Sequence, residues 1–242
     1  MKTASAESRS VVTPCGTLQY TFQRKRVKNL NARIRKDGSV AVSAPMRAPL
    51  SAVEQFLCSR AAFIFAAKEK YAAQASKRTV FRCEDGDCFP MLGGMMHLRV
   101  IADSAESAQQ CGDTVTLHVR DTDDLPRRQK LFDAWIDAQC RTVFAEVMQE
   151  TAALFSDLPT PAASLRIRTM VSRWGTCHTQ KHIITMNRRL IEAPRRCIRY
   201  VMIHEFTHFF HADHSPAFYA LMEQKCPDWR ACKELLEQSV IL

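Results

Sequence analysis

The chain alternates between stretches with two-residue and with three-to-four-residue hydrophobic spacing, which predicts a mixture of strands and helices. Residues 17–44 follow the strand pattern, and Asp37-Gly38 between two apolar pairs indicates a hairpin turn. Residues 1–16 are rich in Ser and Thr and show no period, so we expect a disordered start.

Two amphipathic helices are predicted in the middle of the chain. The first begins at the capping pair Ser51 and Glu54 and runs to about Ser76. The second begins at Pro126 and ends near Leu154. The segments between them are predicted as strands at 97–101 and 114–119, with a polar loop over 102–113.

The C-terminal third predicts two short strands followed by helices. The helices begin at Pro194, at Ser215-Pro216 and at Pro227-Asp228, and the first continues to about His211. Residues 156–163 contain two prolines and form the predicted domain boundary. We therefore expect an α+β fold, with a β-rich N-terminal region over 17–155 that contains a long helix, and a C-terminal helical part over 164–242 with a short sheet.

Composition narrows the class of protein. Of the 242 residues, 46% are apolar and 24% are charged, which excludes general disorder. The most apolar run, residues 61–67, is far shorter than the roughly 18 residues of a membrane span, and no apolar segment follows Lys2 as a secretion signal requires. The ten cysteines are scattered without a C-x-x-C pair, so we expect reduced, mostly buried thiols, a cytoplasmic location and no membrane partner.

His204-Glu205-Phe206-Thr207-His208 is an H-E-x-x-H motif within the helix predicted from Pro194. Residues four apart lie one turn above each other on one helix face, so the two imidazoles can bind one metal ion. A zinc ion with three protein ligands keeps a fourth position for water and lowers the pKa of that water toward about 7. Glu205 lies beside this face and can take the proton. The motif therefore predicts one zinc ion and a metal-dependent hydrolase.

The third zinc ligand is expected close downstream, and His214 is the first candidate. It stands ten residues after His204, as in H-E-x-x-H-x-x-G-x-x-H zinc sites. Those sites turn the chain at a glycine, where this sequence has His211, so the turn must differ here. His211 itself and Glu223 on the next predicted helix are the alternatives.

Five segments resemble the YgjP-like metallopeptidase family, which is related to the SprT-like and WLM zinc proteases of the zincin superfamily. They are SRWGTC at 172–177, NRRL at 187–190, YVMIHE at 200–205, HSPAF at 214–218 and PDWR at 227–230. The resemblance is dense over 166–229 and looser upstream, around 37–40. Thr176, Phe206 and Tyr219 depart from the usual family residues, and none of them belongs to the expected metal site. The family implies a zinc-dependent peptidase with zinc on His204, His208 and His214 and with Glu205 as catalytic base.

In zincins, an edge strand beside the metal helix pairs with the extended substrate. Residues 170–187 predict a hairpin, turning near 179–180, that could supply this strand. The candidate substrate-binding residues are Arg173, Trp174, Gly175 and Tyr219, because Gly175 permits close backbone approach and Arg173 or Tyr219 could stabilise an oxyanion. Core packing by Trp174 and Cys177 is the alternative, and nothing besides the adjacent His178 favours Cys177 as a nucleophile.

The positive charge is unevenly distributed, with 34 Lys and Arg against 25 Asp and Glu. Residues 166–199 contain one acid, Glu192, and residues 24–36 contain none. A basic surface beside the metal site would attract an anionic substrate, and either run could contact nucleic acid, although a solvated face would have the same composition. Few aromatic residues interleave with these runs, so a stacking platform for single strands is not indicated.

Three functions are compatible with these features. The first is a zinc metallopeptidase acting on peptides or proteins. The second is a metal-dependent phosphohydrolase, or pyrophosphatase, acting on nucleoside triphosphates, for which the sequence offers arginines but no P-loop. The third is a nucleic-acid-associated protein with a structural zinc ion, which the three-ligand pattern disfavours because structural sites usually have four protein ligands.

Overall fold

The computed structural model describes residues 6–35, 37–76 and 81–240. The fold is α+β, as predicted, and the chain divides into two compact units, Met1–Val80 and Phe81–Leu242. The sequence placed the boundary at 156–163, whereas in the structure this segment is a connection inside the second unit. Residues 1–5 of the expected disordered start, and Lys36 of the basic run, lie outside the described residues.

The first unit contains a four-stranded sheet with the order β1-β2-β4-β3. Its strands are β1 (Glu7–Thr13), β2 (Gly16–Lys25), β3 (Asn31–Ile34) and β4 (Val40–Pro45). The predicted hairpin is confirmed, because β3 and β4 pair antiparallel and Gly38 turns the chain with φ of +76°. Residues 7–13 pair with β2 along their whole length rather than forming a disordered start.

Two helices cover one face of this sheet, where a single long helix was predicted. They are α1 (Leu50–Ser59) and α2 (Ala61–Ser76), separated at Arg60. The N-cap of α1 is Pro49, so Ser51 lies inside the first turn and the predicted capping box does not form. The covered face, which we call the inner face, buries Leu18, Tyr20, Phe22, Val40 and Val42 against Val53, Leu57 and Ile64 of the helices.

No single helix in the described ranges is long and apolar enough to cross a bilayer, whereas Leu50–Ser59 and Ala61–Glu69 meet the test together, as a pair bent by 61°.

The second unit begins with another four-stranded sheet, ordered β5-β6-β8-β7. Its strands are β5 (Cys88–Met91), β6 (Gly94–Ala102), β7 (Ser107–Cys111) and β8 (Thr114–Val119). The strands predicted near 97–101 and 114–119 are confirmed. The polar loop predicted over 102–113 is wrong in part, because β7 lies within it; this edge strand is largely exposed, so it shows no hydrophobic alternation.

The long helix α3 (Leu125–Leu154) confirms the prediction from Pro126. Asp124 caps it by accepting a 2.9 Å hydrogen bond from the Arg127 amide. Its apolar stripe, which includes Phe132, Phe144 and Val147, shares one core with the helix of the H-E-x-x-H motif. The long helix therefore belongs to the unit that carries the motif, not to the N-terminal region.

The remaining elements build the region around the motif. A three-stranded sheet, ordered β10-β11-β9, consists of β9 (Ser164–Arg168), β10 (Gly175–His178) and β11 (Ile183–Asn187). The helices are α4 (Arg195–Thr207), α5 (Pro216–Lys225) and α6 (Trp229–Ser239). All ten cysteines are free thiols, and half of them are buried.

The turn between β5 and β6 fixes the start of α4. The Leu92 amide donates a 2.7 Å hydrogen bond to the Ile191 carbonyl, and the Gly93 amide donates to the carbonyl of Glu192. Gly93 has φ of +84°, and a Cβ there would lie 2.7 Å from Cγ of Pro194. Glycine is therefore required for this close approach, which holds the N-terminus of α4 against the hairpin.

Candidate metal centre

Helix α4 carries the first two histidines of the motif on one face. Its opposite face is deeply buried, with Ile198, Met202 and Ile203 fully inaccessible, so the packing of the core fixes the rotation of the helix. The imidazoles of His204 and His208 consequently lie one turn apart, with ring centroids separated by 5.0 Å. The helix ends at Thr207, one turn earlier than predicted, and His208 is its C-cap residue.

A short turn after α4 brings the third histidine back to the other two. The amides of Phe210 and His211 both donate to the Thr207 carbonyl, which reverses the chain without a glycine. Ser215 then caps α5 by accepting a hydrogen bond from the Phe218 amide. His214 precedes this cap, and its Nε2 atom lies 3.1 Å from Nε2 of His204.

The three imidazoles form a candidate metal site. His204, His208 and His214 each offer a ring nitrogen, and these nitrogens all lie within 4.8 Å of one another. Among the described residues, no other group of three or more His, Cys, Asp or Glu side chains converges in this way. The sequence predicted these three histidines as metal ligands, and the structure brings their side chains together.

Neither of the two alternative third ligands lies with the three converging histidines. The backbone carbonyl of His211 lies 3.1 Å from Nδ1 of His208, and its side chain is not part of the converging group. The carboxylate of Glu223 accepts hydrogen bonds from Nε1 of Trp229 at 2.8 Å and from Arg230 at 2.6 Å. His208 gains from this arrangement, because an Nδ1–H donated to a carbonyl leaves the Nε2 lone pair available to a metal.

Burial favours the neutral form of His204 and His208, which is the form that binds metals. Burial lowers the pKa of His204 to about 4, with smaller contributions from His208 and His214. Burial also lowers the pKa of His208, while the hydrogen bond to His211 opposes this shift. The 3.1 Å contact between two Nε2 atoms requires one of them to carry the proton in the metal-free protein, and a cation between the rings satisfies both lone pairs. The donor set therefore fits a zinc ion.

Phe218 supports all three rings from one side, a role that the sequence did not reveal. Its side chain is completely buried, and its ring centroid lies 5.0, 4.8 and 4.7 Å from those of His204, His208 and His214. Phe218 belongs to the segment 214–218 that resembles the family, but its contact with the histidines depends on the geometry of the turn after α4, which the sequence did not predict. A rigid apolar contact on one side restricts the imidazole rotamers and excludes water there.

Among the described residues, Glu205 is the only Asp, Glu, Lys or Arg that is buried, with 5% of its surface exposed. Burial raises the pKa of this carboxyl to about 8 in the metal-free chain, while the charge of Arg173 and the backbone amide of Cys177 lower it. Burial of the Cys177 side chain, together with the negative charge of the nearby Glu205, raises the pKa of its thiol to about 12. Cys177 is therefore a protonated thiol, which agrees with core packing and disfavours a nucleophile.

A cleft of about 610 Å³ opens over the three histidines and Glu205. Of the four candidate substrate-binding residues, Arg173, Trp174 and Gly175 line this cleft, whereas Tyr219 does not. Tyr219 instead stacks on Trp229, with ring centroids 5.4 Å apart. Tyr200, one turn before His204, lines the cleft and was not predicted; burial raises the pKa of its hydroxyl, so it retains its proton.

Strand β10 forms one wall of this cleft. It pairs antiparallel with β11 through the turn at 179–181, as predicted for this hairpin, and its other edge pairs with no strand in the described part of the chain. Asn187 fixes the loop that leads into β10, because its side-chain amide donates 2.8 Å hydrogen bonds to the carbonyls of Met170 and Arg173. The side chain is fully buried, so these bonds hold the wall in place.

Ion pairs neutralise part of the basic run at 166–199. Arg188 pairs with Asp133 and Asp137 of α3, and Arg195 pairs with Glu146 and Glu150 of the same helix. Arg189 pairs with Glu192. The acids on α3 are distant in sequence, so the run has less excess charge in the fold than the sequence indicated.

Comparisons with known proteins identify the family. Among solved structures, the metallopeptidase zymogen abylysin of Pyrococcus abyssi is 18% identical, with 39% of this chain and 90% of that chain covered and a TM-score of 0.35. The zymogen jannalysin of Methanocaldococcus jannaschii is 14% identical, with 40% and 97% covered and a TM-score of 0.33. No curated protein matches the sequence. The model of the YgjP-like metallopeptidase domain matches residues 28–239. Because this match spans most of the chain, the protein belongs to the YgjP-like metallopeptidase family and is a metal-dependent hydrolase.

Proposed function

We propose that the protein is a zinc-dependent peptidase that holds one ion on His204, His208 and His214 and uses Glu205 as general base. The observation that carries the proposal is the convergence of three imidazoles beside a buried carboxyl group, in a cleft open to solvent. Three histidines suit a catalytic zinc site, because a tetrahedral ion then keeps one position for water or substrate.

The protein side chains divide the chemistry between them. When bound, the zinc ion supplies a Lewis acid that acidifies a water molecule and polarises the scissile carbonyl. Glu205 accepts the proton of the attacking water on its carboxylate and returns it to the leaving amine nitrogen. The buried position of Glu205 favours this exchange, because a carboxyl group with a raised pKa releases its proton less readily to solvent than an exposed one.

The free edge of β10 suits an extended peptide. Apart from the Cys177 amide, which faces Glu205, the backbone N–H and C=O groups along this edge can form a ladder with a substrate strand and so bring a peptide bond near the histidines. Gly175, at the start of this strand, allows the substrate backbone and the Glu205 carboxyl to approach from either side. The substrate is thus a peptide or an unfolded segment of a protein.

Arg173 favours acidic residues near the cleaved bond. Its side chain is exposed at the cleft, and no ion pair in the described part of the chain neutralises it. Among the arginines before and at the start of α4, Arg188 and Arg195 pair with acids on α3 and Arg189 pairs with Glu192. A preference for anionic substrates therefore depends on Arg173 more than on the basic run as a whole.

The proposal is tested with zinc-loaded wild-type protein and the Glu205→Gln variant. Both are assayed against a mixed-sequence peptide library and against a panel of nucleoside triphosphates. We expect the wild type to cleave peptides, and Glu205→Gln to keep its zinc while losing about 100-fold or more in rate, the range that a general base contributes. Glu223→Gln is the matched control, because that carboxylate is engaged with Trp229 and Arg230 outside the cleft.

Two results would overturn the proposal. Peptide cleavage by Glu205→Gln at the wild-type rate would show that another group is the base. Release of phosphate or pyrophosphate from nucleotides, with no cleaved peptide, would favour the phosphohydrolase hypothesis instead.

A further inference from the structure

The net positive charge of the chain comes from one of its two units. Residues 1–80 contain fifteen Lys and Arg against four Asp and Glu, a net charge of 15 − 4 = +11. Residues 81–242 contain nineteen against twenty-one, a net charge of 19 − 21 = −2. The unit that holds the metal centre is thus close to neutral, and the whole excess lies on the small sheet-and-helix unit. A charge separated in this way points to an anionic partner of that unit rather than to general solubility.

The sheet of this unit has one face that its own helices leave uncovered, which we call the outer face. Strand register defines it: Ser8, Thr21, Ala41 and Arg33 form one row across the sheet. Gln23, Ser43 and Asn31 form a neighbouring row. Side chains in register across a sheet share a face, and the alternate rows hold the inner-face core residues.

The outer face carries donors and cations but no acid. Over the described strands, its side chains are mainly hydroxyl and amide groups, with Lys25 and Arg33 among them, and none is Asp, Glu or aromatic. Glu7, the one acid within these strands, lies in register with Phe22 on the inner face and pairs with Arg9. Within the described strands the outer face therefore presents hydrogen-bond donors without carboxylates, and the nearest acids are Asp37 of the β3–β4 turn and Glu69 of α2, which line a cavity with Ser8 and Thr21.

The loop after β2 extends the positive charge of this face. Lys25, Arg26, Lys28 and Arg33 are all exposed, and in the part of the chain that the structure describes none of them lies within 4.0 Å of a carboxylate. Arg24 differs, because it donates hydrogen bonds to the carbonyls of residues 45, 46 and 48 and has a structural role. Arg35 is close enough to Asp37 to lower the pKa of that carboxyl, so the described residues of the basic run at 24–36 include four cations without an internal partner.

We propose that the outer face and the β2–β3 loop bind the sugar-phosphate backbone of double-stranded nucleic acid. Lys and Arg neutralise phosphates, and hydroxyl and amide side chains donate to phosphate oxygens without reading sequence. The ten-residue strand β2 spans about 33 Å, close to the roughly 34 Å repeat of a duplex, so the donors match a long and evenly charged ligand. A single strand fits less well, because the face has no aromatic side chain on which bases could stack.

This inference is independent of the proposed function, because it concerns a different unit and no residue of the metal centre. Duplex binding by the basic unit would bring the peptidase to substrates located on nucleic acid. Failure of either proposal leaves the other intact, since one is measured by hydrolysis and the other by binding.

The test is fluorescence anisotropy of a labelled 24-base-pair DNA duplex titrated with the full-length protein at several salt concentrations. We expect dissociation constants in the micromolar range, typical of binding without sequence specificity. The variant with Lys25, Arg26, Lys28 and Arg33 all changed to Gln should bind at least about 30-fold more weakly. Its slope of log K against log salt should be about 3 to 4 smaller, since each phosphate contact contributes about 0.9.

A second fourfold variant removes the same charge from the other unit. It changes the exposed Lys130, Arg141, Arg166 and Arg168 to Gln, and we expect its affinity to stay within about threefold of wild type. Equal loss of affinity in both variants would overturn the proposal, because net charge and not the outer face would then explain binding.

Three further results would also overturn it: no binding by the wild type, equal or tighter binding of an unstructured single strand, and displacement of the duplex by polyglutamate or by vesicles of anionic lipid at matched charge. Peptide hydrolysis by both variants at the wild-type rate serves as the folding control. If the variant changed at Lys25, Arg26, Lys28 and Arg33 fails this control, the single variants Arg26→Gln and Lys28→Gln are measured instead, each with an expected reduction in slope of about 0.9.

Discussion

A Cβ atom on Gly175 would lie 2.7 Å from Oε1 of Glu205 and 2.8 Å from its Cγ. Both distances are below those of real Cβ contacts, so any side chain at position 175 must displace the carboxyl group. Glycine at 175 therefore sets the position of the proposed base, because it leaves free the space that a Cβ would occupy.

Gly175→Ala should lower the rate of peptide hydrolysis about 100-fold, the effect expected when a catalytic group is misplaced by about 1 Å. The zinc content should stay the same, because the three atoms nearest to a Cβ at this position all belong to Glu205 and none to a histidine. Turnover number and bound metal are measured on the same preparation. Gly94→Ala is the control, since Gly94 has ordinary φ and a Cβ there meets nothing closer than 3.7 Å. Unchanged turnover in Gly175→Ala would contradict this role.

His214→Ala should weaken zinc binding strongly, because it removes a ligand. The loss should exceed the roughly 10- to 100-fold that follows when a residue hydrogen-bonded to a metal ligand is removed. His211→Ala should retain wild-type affinity, since that residue contributes only its backbone carbonyl to the site. Competition against a fluorescent chelator measures both variants. Equal affinities for His214→Ala and wild type would exclude His214 as the third ligand.

Local spacing in the sequence accounts for much of this centre. The four-residue spacing of His204 and His208 follows from helix geometry, and Ser215-Pro216 predicts the start of α5. Contacts between distant segments could not be predicted in this way. The pairing of Arg188 with Asp133 and Asp137 joins residues about fifty positions apart, and it is one reason why α3 belongs with the metal centre.

The errors in the N-terminal region have similar causes. Strand β1 carries mostly exposed polar side chains, because it is an edge strand, so its sequence resembles a disordered segment. The helix predicted from Ser51 has a continuous apolar pattern, and the break at Arg60 leaves no signal such as Pro or Gly. The hairpin at Gly38 was predictable, because its positive φ needs a residue type that the sequence displays.

Asn187→Asp should lower the free energy of unfolding of the second unit by about 3 kcal/mol, since a carboxylate cannot donate to the carbonyls of Met170 and Arg173 and both become unsatisfied. Urea unfolding followed by tryptophan fluorescence reports this unit, because all three tryptophans lie in it. Gln180→Ala, at the exposed turn after β10, should change the value by less than about 0.5 kcal/mol. A shift of similar size in both variants would show that the loop is not held by Asn187.

The stability of the metal-free protein should decrease as the pH rises from 6.5 to 8. In the folded protein the pKa of Glu205 is about 8, above its ordinary value of 4.5. The contribution of Glu205 to the free energy of unfolding is therefore complete below pH 4.5 and is lost as the pH rises through 8. His204 acts in the opposite direction, because its folded pKa of about 4 lies below 6.5, and its contribution is lost only as the pH falls below that value. Above pH 6.5 the effect of Glu205 is therefore unopposed by His204.

The expected decrease is about 2 kcal/mol between pH 6.5 and 8, at roughly 1.4 kcal/mol per pH unit. Urea unfolding of chelator-treated protein at these two pH values measures it, with tryptophan fluorescence as the signal. Glu205→Gln should abolish the decrease, because an amide does not titrate, whereas Glu223→Gln should leave it in place, since that exposed carboxylate already has a lowered pKa. The same decrease in Glu205→Gln and wild type would mean that another group titrates in this interval and that burial does not hold the Glu205 proton.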